Sequence, residues 1–158
     1  MCGRFTQFRL WRFAALLVMI GTAQAHSDSI ASRDIDVVDG DTIAVNGKTI
    51  HLVDFEAPEL GRHAHCGLER MLAARATSRL RQIIRTGDDI DLQLMECSCR
   101  PGTEGTRWCN YGRACGYLTV NGRDVGDILT AENLAHPLVC GQFSCPQRKA
   151  WCPFEPAQ

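Results

Sequence analysis

Asp39-Gly40-Asp41-Thr42 sits between two apolar runs, and Glu56 and Glu59 flank Pro58 sixteen residues beyond Thr42. With Asp54, five carboxylates fall at expected loops or strand ends. Gathered carboxylates repel one another unless a cation or water intervenes, and hard divalent ions such as calcium take oxygen ligands of this kind. The competing reading is turn chemistry, since Asp and Gly both favour turns, and composition alone leans that way. Tyr111-Gly112-Arg113 opens a later strand. An arginine there either clamps a phosphate through its planar fork or is an ordinary surface residue. No persuasive Ser–His–Asp order and no phosphate-cradling glycine loop is present.

These residues need elements to position them. Residues 34–38 and 42–45 read as strands, and Asn46-Gly47 marks a tight hairpin into a return strand over 49–53. Pro58 cannot donate to a ladder and ends that region. Over residues 66–85 the period changes: Leu68, Met71, Leu72, Ala76, Leu80, Ile83 and Ile84 recur at helical steps, with Gly87 as the stop. Residues 91–95 alternate again. Residues 97–110 are loop-like, and a Cys99–Cys109 staple would tie that loop at its base. A strand over 114–120, a second Asn-Gly turn at 121–122 and a short helix over 125–134 follow. This order predicts an α+β, mainly β chain: a five-stranded OB-fold barrel with an inserted long helix and a short second helix.

The 158 residues favour one domain. Arg4, Arg9 and Arg12, the apolar stretch 13–20 and Ala23-Gln24-Ala25 predict a signal peptide over residues 1–25, cleaved before His26. An N-terminal membrane anchor is the alternative, but the apolar run is far short of the roughly 20 residues a spanning helix needs. Residues 26–32 read as a loose terminus, 33–137 as the domain, and 138–158 as a cysteine-rich tail packed on it. The leader removes three of 17 basic residues and no acidic one, leaving 14 against 18 and a balance of −4. Any nucleic-acid contact must then be local rather than a whole-protein field. Cys2 leaves with the leader, and eight cysteines remain. An even count in an exported domain predicts up to four disulfides, with structural zinc as the rival.

Val37-Val38-Asp39-Gly40-Asp41-Thr42, then His51-Leu52-Val53-Asp54-Phe55-Glu56-Ala57-Pro58-Glu59, then Tyr111-Gly112-Arg113 occur in order and at suitable separations. Over residues 34–137 the chain resembles the staphylococcal nuclease-like (thermonuclease) family. The resemblance implies an OB barrel and a Ca2+-dependent phosphodiesterase acting on DNA and RNA. It places metal ligands at Asp41, Glu56 and the Ala57 carbonyl, the general base at Glu59, and a phosphate-binding arginine at Arg113. Where the family has its other arginine this chain has His51, a shorter group that is largely neutral at pH 7 and cannot copy a permanent bidentate cation. Glu56 is one methylene longer than the family's Asp, and Asp54, two residues before it, is a candidate to compensate. Asn110 replaces the acid usually found before the Tyr-Gly-Arg block.

Losing a phosphate clamp costs orders of magnitude in rate. A degenerate, non-catalytic binding module therefore stands beside the active nuclease, and a cysteine-rich envelope interaction domain is a third reading. Another expectation is that His51 restores charge at acidic pH. Arg70, Arg75, Arg79, Arg81 and Arg85 read as a solvated helix face or a nucleic-acid track. The expected setting is a monomer in the periplasm or the medium, touching DNA or RNA locally and free of the membrane once the leader is gone.

Overall fold

Two hairpins show how local chemistry sets the framework. Thr42–Val45 (β2) and Lys48–Leu52 (β3) pair antiparallel around Asn46 and Gly47, at φ 51° and 76°. Asn and Gly accept positive φ at little cost, and the resulting turn matches the strand twist. Asn121 and Gly122, at φ 52° and 72°, do the same between β6 (Ala114–Val120) and β7 (Arg123–Asp124).

This computed structural model describes residues 29–152; the expected leader lies outside them. Ile35–Val37 (β1) pairs antiparallel with β2. β3 pairs parallel with β6, which pairs antiparallel with Ile90–Met95 (β5). The path β1-β2-β3-β6-β5, with β7 attached to β6, is a curled half-barrel sheet. Asp54–Glu56 (β4) pairs separately with His136–Leu138 (β8). The fold is α+β, mainly strands. Among the described residues eight strands form where five were expected, because β4, β7 and β8 are too short to leave a periodic signal.

Gly67–Thr86 (α1) packs Ala73, Ala76, Leu80, Ile83 and Ile84 inward. Leu68 and Met71, expected on the apolar face, are exposed. Gly87 ends α1 with an ordinary φ of −81°. It is glycine for room: a Cβ there would lie 2.3 Å from Val120 Cγ1. Val125–Ala131 (α2) is capped by the Asp124 side chain, which accepts from the Gly126 and Asp127 amides. Ile43, Leu52, Leu80, Val125 and Leu129 are fully buried. Each such side chain contributes about 1.5–3 kcal/mol. The terminus expected to be loose is anchored at Ile30, whose amide donates to the Ile90 carbonyl.

The eight cysteines pair as Cys66–Cys152, Cys97–Cys115, Cys99–Cys109 and Cys140–Cys145. The expected Cys99–Cys109 staple is among them, and all eight cysteines of the described residues are paired. No helix among the described residues is long and apolar enough to cross a membrane.

Candidate functional site

The turn between β1 and β2 carries Asp39, Gly40 and Asp41. Gly40 lies flat against α1 and the Pro58 segment. A Cβ on it would come within 2.5 Å of Ala57 Cβ and 3.0 Å of Ala76 Cβ. Only glycine allows this approach, so Asp-Gly-Asp is more than a generic turn. Asp39 Oδ1 accepts from the Asp41 amide at 3.1 Å. Asp41 is 8% exposed; its Oδ2 accepts from the Ala57 amide at 2.7 Å, and its Oδ1 from the Thr42 hydroxyl at 3.2 Å. The turn and the Glu56–Glu59 segment are thereby stitched together.

Two carboxylates this close titrate apart. Burial, then the Asp41 charge, pushes the Asp39 carboxyl up to about 6. Burial also raises Asp41, but His51 and the Ala57 amide outweigh it and hold Asp41 below the usual carboxylate range. His51 lies opposite Thr42 in the β2–β3 register, with Nδ1 3.6 Å from Asp41 Oδ1. That separation suits an ion pair when the ring is protonated and is too long for a hydrogen bond. Nδ1 is buried and has no hydrogen-bond partner among the described residues.

Arg113 reaches the same place from the other side of the sheet's parallel seam. Asn110, Tyr111 and Gly112 all have positive φ (49°, 58° and 80°), forming a hook ahead of β6. Asn110 then holds the guanidinium: Arg113 Nε donates to its carbonyl at 3.1 Å and Nη2 to its Oδ1 at 2.7 Å. Nη1 donates to Thr42 Oγ1 at 3.1 Å. Arg113 and Asp41 are thus joined through one buried hydroxyl. The Tyr111 ring, 83% exposed, lies 5.6 Å from the guanidinium carbon.

Sequence reasoning missed Arg148. Its guanidinium donates through Nε to Glu56 Oε2, through Nη1 to Glu59 Oε1, and through Nη2 to the Ala57 carbonyl at 2.9 Å. The Lys149 amide donates to Glu56 Oε1 at 3.0 Å. Both oxygens of Glu56, 2% exposed, are therefore engaged by the tail. Burial alone would lower the Arg148 pKa, but Glu59 and Glu56 raise it further above its ordinary value. One signal was available: Arg148 and Lys149 are the sole basic residues after Arg123.

Glu69 was also missed. It is 3% exposed on the first turn of α1 and accepts from the His65 amide at 2.7 Å, His65 Nδ1 at 3.2 Å and the Glu59 amide at 3.3 Å. It fixes the backbone that presents Glu59. Its spacing three residues after Cys66, whose sulfur accepts from its amide, is that of a capping box.

Asp54 does not join the cluster. Its φ of 68° breaks the strand alternation, and its Oδ2 accepts from the Tyr117 hydroxyl at 2.8 Å. Among the helix arginines, Arg79 pairs with Glu132 at 2.6 Å and Arg81 donates to the Val37 carbonyl, which fits a solvated face better than a nucleic-acid track.

Among the described residues, no three His, Cys, Asp or Glu side chains form a ready metal cluster. The oxygens of Glu56, Glu59 and the Ala57 carbonyl instead converge on one organic cation, the Arg148 guanidinium. Two carboxylates and a carbonyl are donors that a hard metal ion takes. No protein-family model matches the chain, and no curated protein matches it.

Proposed function

We propose that this chain is an exported, calcium-dependent nuclease of the thermonuclease type, built on an OB-type barrel, that hydrolyses phosphodiesters of DNA or RNA. The observation that supports the reading is the run of contacts Arg113–Thr42–Asp41–Ala57, which links an arginine fork through one hydroxyl to the Asp41 carboxylate and the backbone of the Glu56–Glu59 segment. Opposite charges so arranged bind a phosphate and a cation side by side.

The chain's own groups divide the work. Asp41, Glu56 and the Ala57 carbonyl would hold the divalent cation, which when bound neutralises the phosphate and polarises a water. Glu59, at the mouth of the site, takes a proton from the attacking water as its oxygen forms the new bond to phosphorus. The bridging P–O bond breaks, its oxygen takes a proton from solvent and leaves as a hydroxyl, and Glu59 returns its own proton to solvent. Arg113 leaves Thr42 and donates to the phosphoryl oxygens, where negative charge builds. Asn110 keeps that fork oriented throughout. His51, with Nδ1 3.6 Å from Asp41 Oδ1, borders the same groups.

One observation favours a second reading, a non-catalytic binding module: Arg148 ties up both Glu56 and the proposed base Glu59. Cleavage of single-stranded DNA and RNA, with millimolar calcium or EDTA, separates the two readings. The nuclease reading expects calcium-dependent cleavage that falls by about a hundredfold or more in Glu59→Gln, in keeping with the usual worth of a general base. Absence of cleavage in both wild type and Arg148→Ala would leave the binding module.

A further inference from the structure

The tail contacts place the Arg148 guanidinium on three of the four groups that the proposed function assigns to cation binding or to the base: the Glu56 carboxylate, the Ala57 carbonyl and the Glu59 carboxylate, but not Asp41. These contacts span 89 to 92 residues of sequence, so they are not local accidents of a turn. The neighbouring Lys149 amide takes the remaining Glu56 oxygen. The segment cannot drift away. Cys152 is bonded to Cys66 at the start of α1, and Trp151 stacks on His136 of β8 with ring centroids 3.9 Å apart. A tethered group acts at a high effective concentration and competes strongly with a free ion.

We propose that residues 146–152 form a built-in plug: Arg148 occupies the cation seat, and a divalent cation binds only by displacing it. This rests on the proposed function for the identity of the seat but not for catalysis. Both cations cannot use Glu56 together. A carboxylate that is almost fully buried is stable only beside a positive group, so one cation must replace the other. The coupling is reciprocal: anything that loosens the tail tightens the metal, and the metal loosens the tail by the same factor. The seat therefore stays with Arg148 until a divalent cation is abundant enough to displace it.

The test is calcium binding by calorimetry on the disulfide-bonded protein, for wild type, Arg148→Ala and Arg148→Gln. The glutamine variant keeps a hydrogen-bond donor in the seat without the charge, so it guards against a folding defect in the alanine variant. Calcium affinity should rise by about tenfold or more in at least one folded variant, equivalent to roughly 1.4 kcal/mol. In unsubstituted protein, saturating calcium should speed hydrogen exchange at the Lys149 amide, which loses its Glu56 acceptor. Equal or weaker calcium binding in both variants, no calcium binding in any protein, or a Lys149 amide unchanged or better protected with calcium would overturn the plug. Tighter calcium binding in the variants without nucleic-acid cleavage would retain the plug and remove the nuclease.

Discussion

Replacing Gly40 by alanine probes why the acidic turn stands where it does. The new methyl carbon would sit 2.5 Å from Ala57 Cβ and 3.0 Å from Ala76 Cβ, well inside van der Waals contact. Neither neighbour is a flexible side-chain end, and both are fully buried or nearly so, at 2% and 0% exposure. The turn must move outward, stretching the 2.7 Å bond from the Ala57 amide to Asp41. Overpacking a tight interior site costs about 1–3 kcal/mol. Losing part of a buried hydrogen bond to a carboxylate adds about 1.5 kcal/mol more. The expected total is about 2.5–4.5 kcal/mol, measured by urea unfolding with circular dichroism on the oxidised protein. Ala57→Gly removes the nearer clash, so the double variant should recover part of the loss and show a coupling of about 1 kcal/mol or more in a double-mutant cycle. A Gly40→Ala variant within 0.5 kcal/mol of wild type would refute the reasoning, because the turn would then not be pressed against the Pro58 segment and α1.

Three further outcomes follow from the same contacts. Burial raises the Glu69 carboxyl, but hydrogen bonds from His65 and the Glu59 amide outweigh this and hold it below its ordinary value. Its stabilisation is therefore present above the unfolded-state pKa of about 4.3 and is lost as pH falls through the folded value. Glu69→Gln should flatten the acid limb of the stability curve below about pH 4.5; an acid limb as steep as wild type would contradict the assignment. The Cys66–Cys152 bond closes a loop with a sequence separation of 86. Chain-entropy reasoning gives about 4–5 kcal/mol for its removal in Cys66→Ala/Cys152→Ala, and a loss under 1 kcal/mol in chemical denaturation would show the tail adds little constraint. Asn110→Ala frees the Arg113 fork on one side; nuclease activity should fall by about tenfold or more with unfolding stability changed by under 2 kcal/mol, whereas unchanged activity would mean Asn110 does not orient Arg113.

Most of the framework was legible because its signals are local. Alternation marked β1, β2, β3, β5 and β6, the two Asn-Gly pairs fixed their turns, and a helical period marked α1. β4 and β8 were not legible, since three residues cannot show a period and their pairing joins Asp54–Glu56 to His136–Leu138 across the chain. The first turns of α1 were misjudged: Leu68 and Met71 face solvent while Glu69 turns inward to serve three donors. Asp41, Ala57 and Arg113, singled out by the order of their motifs, are linked through Thr42, while Glu56 and Glu59 meet at Arg148. Asn110 was noted as a departure, although its side-chain oxygen accepts from Arg113 as a carboxylate would. Arg148 was hidden because its meaning is wholly long-range: nothing near Gln147-Arg148-Lys149 in sequence hints at Glu56.

Under the proposed function, a divalent cation and a phosphate meet beside Asp41, Glu56, Glu59 and Arg113. The decisive measurement is calcium-dependent cleavage of single-stranded DNA by Arg148→Ala, compared with Arg148→Ala/Glu59→Gln. Cleavage is expected that EDTA abolishes and that the second substitution lowers by about a hundredfold. Cleavage unaffected by EDTA and by loss of Glu59, or no cleavage by a folded, calcium-binding Arg148→Ala protein, would contradict it.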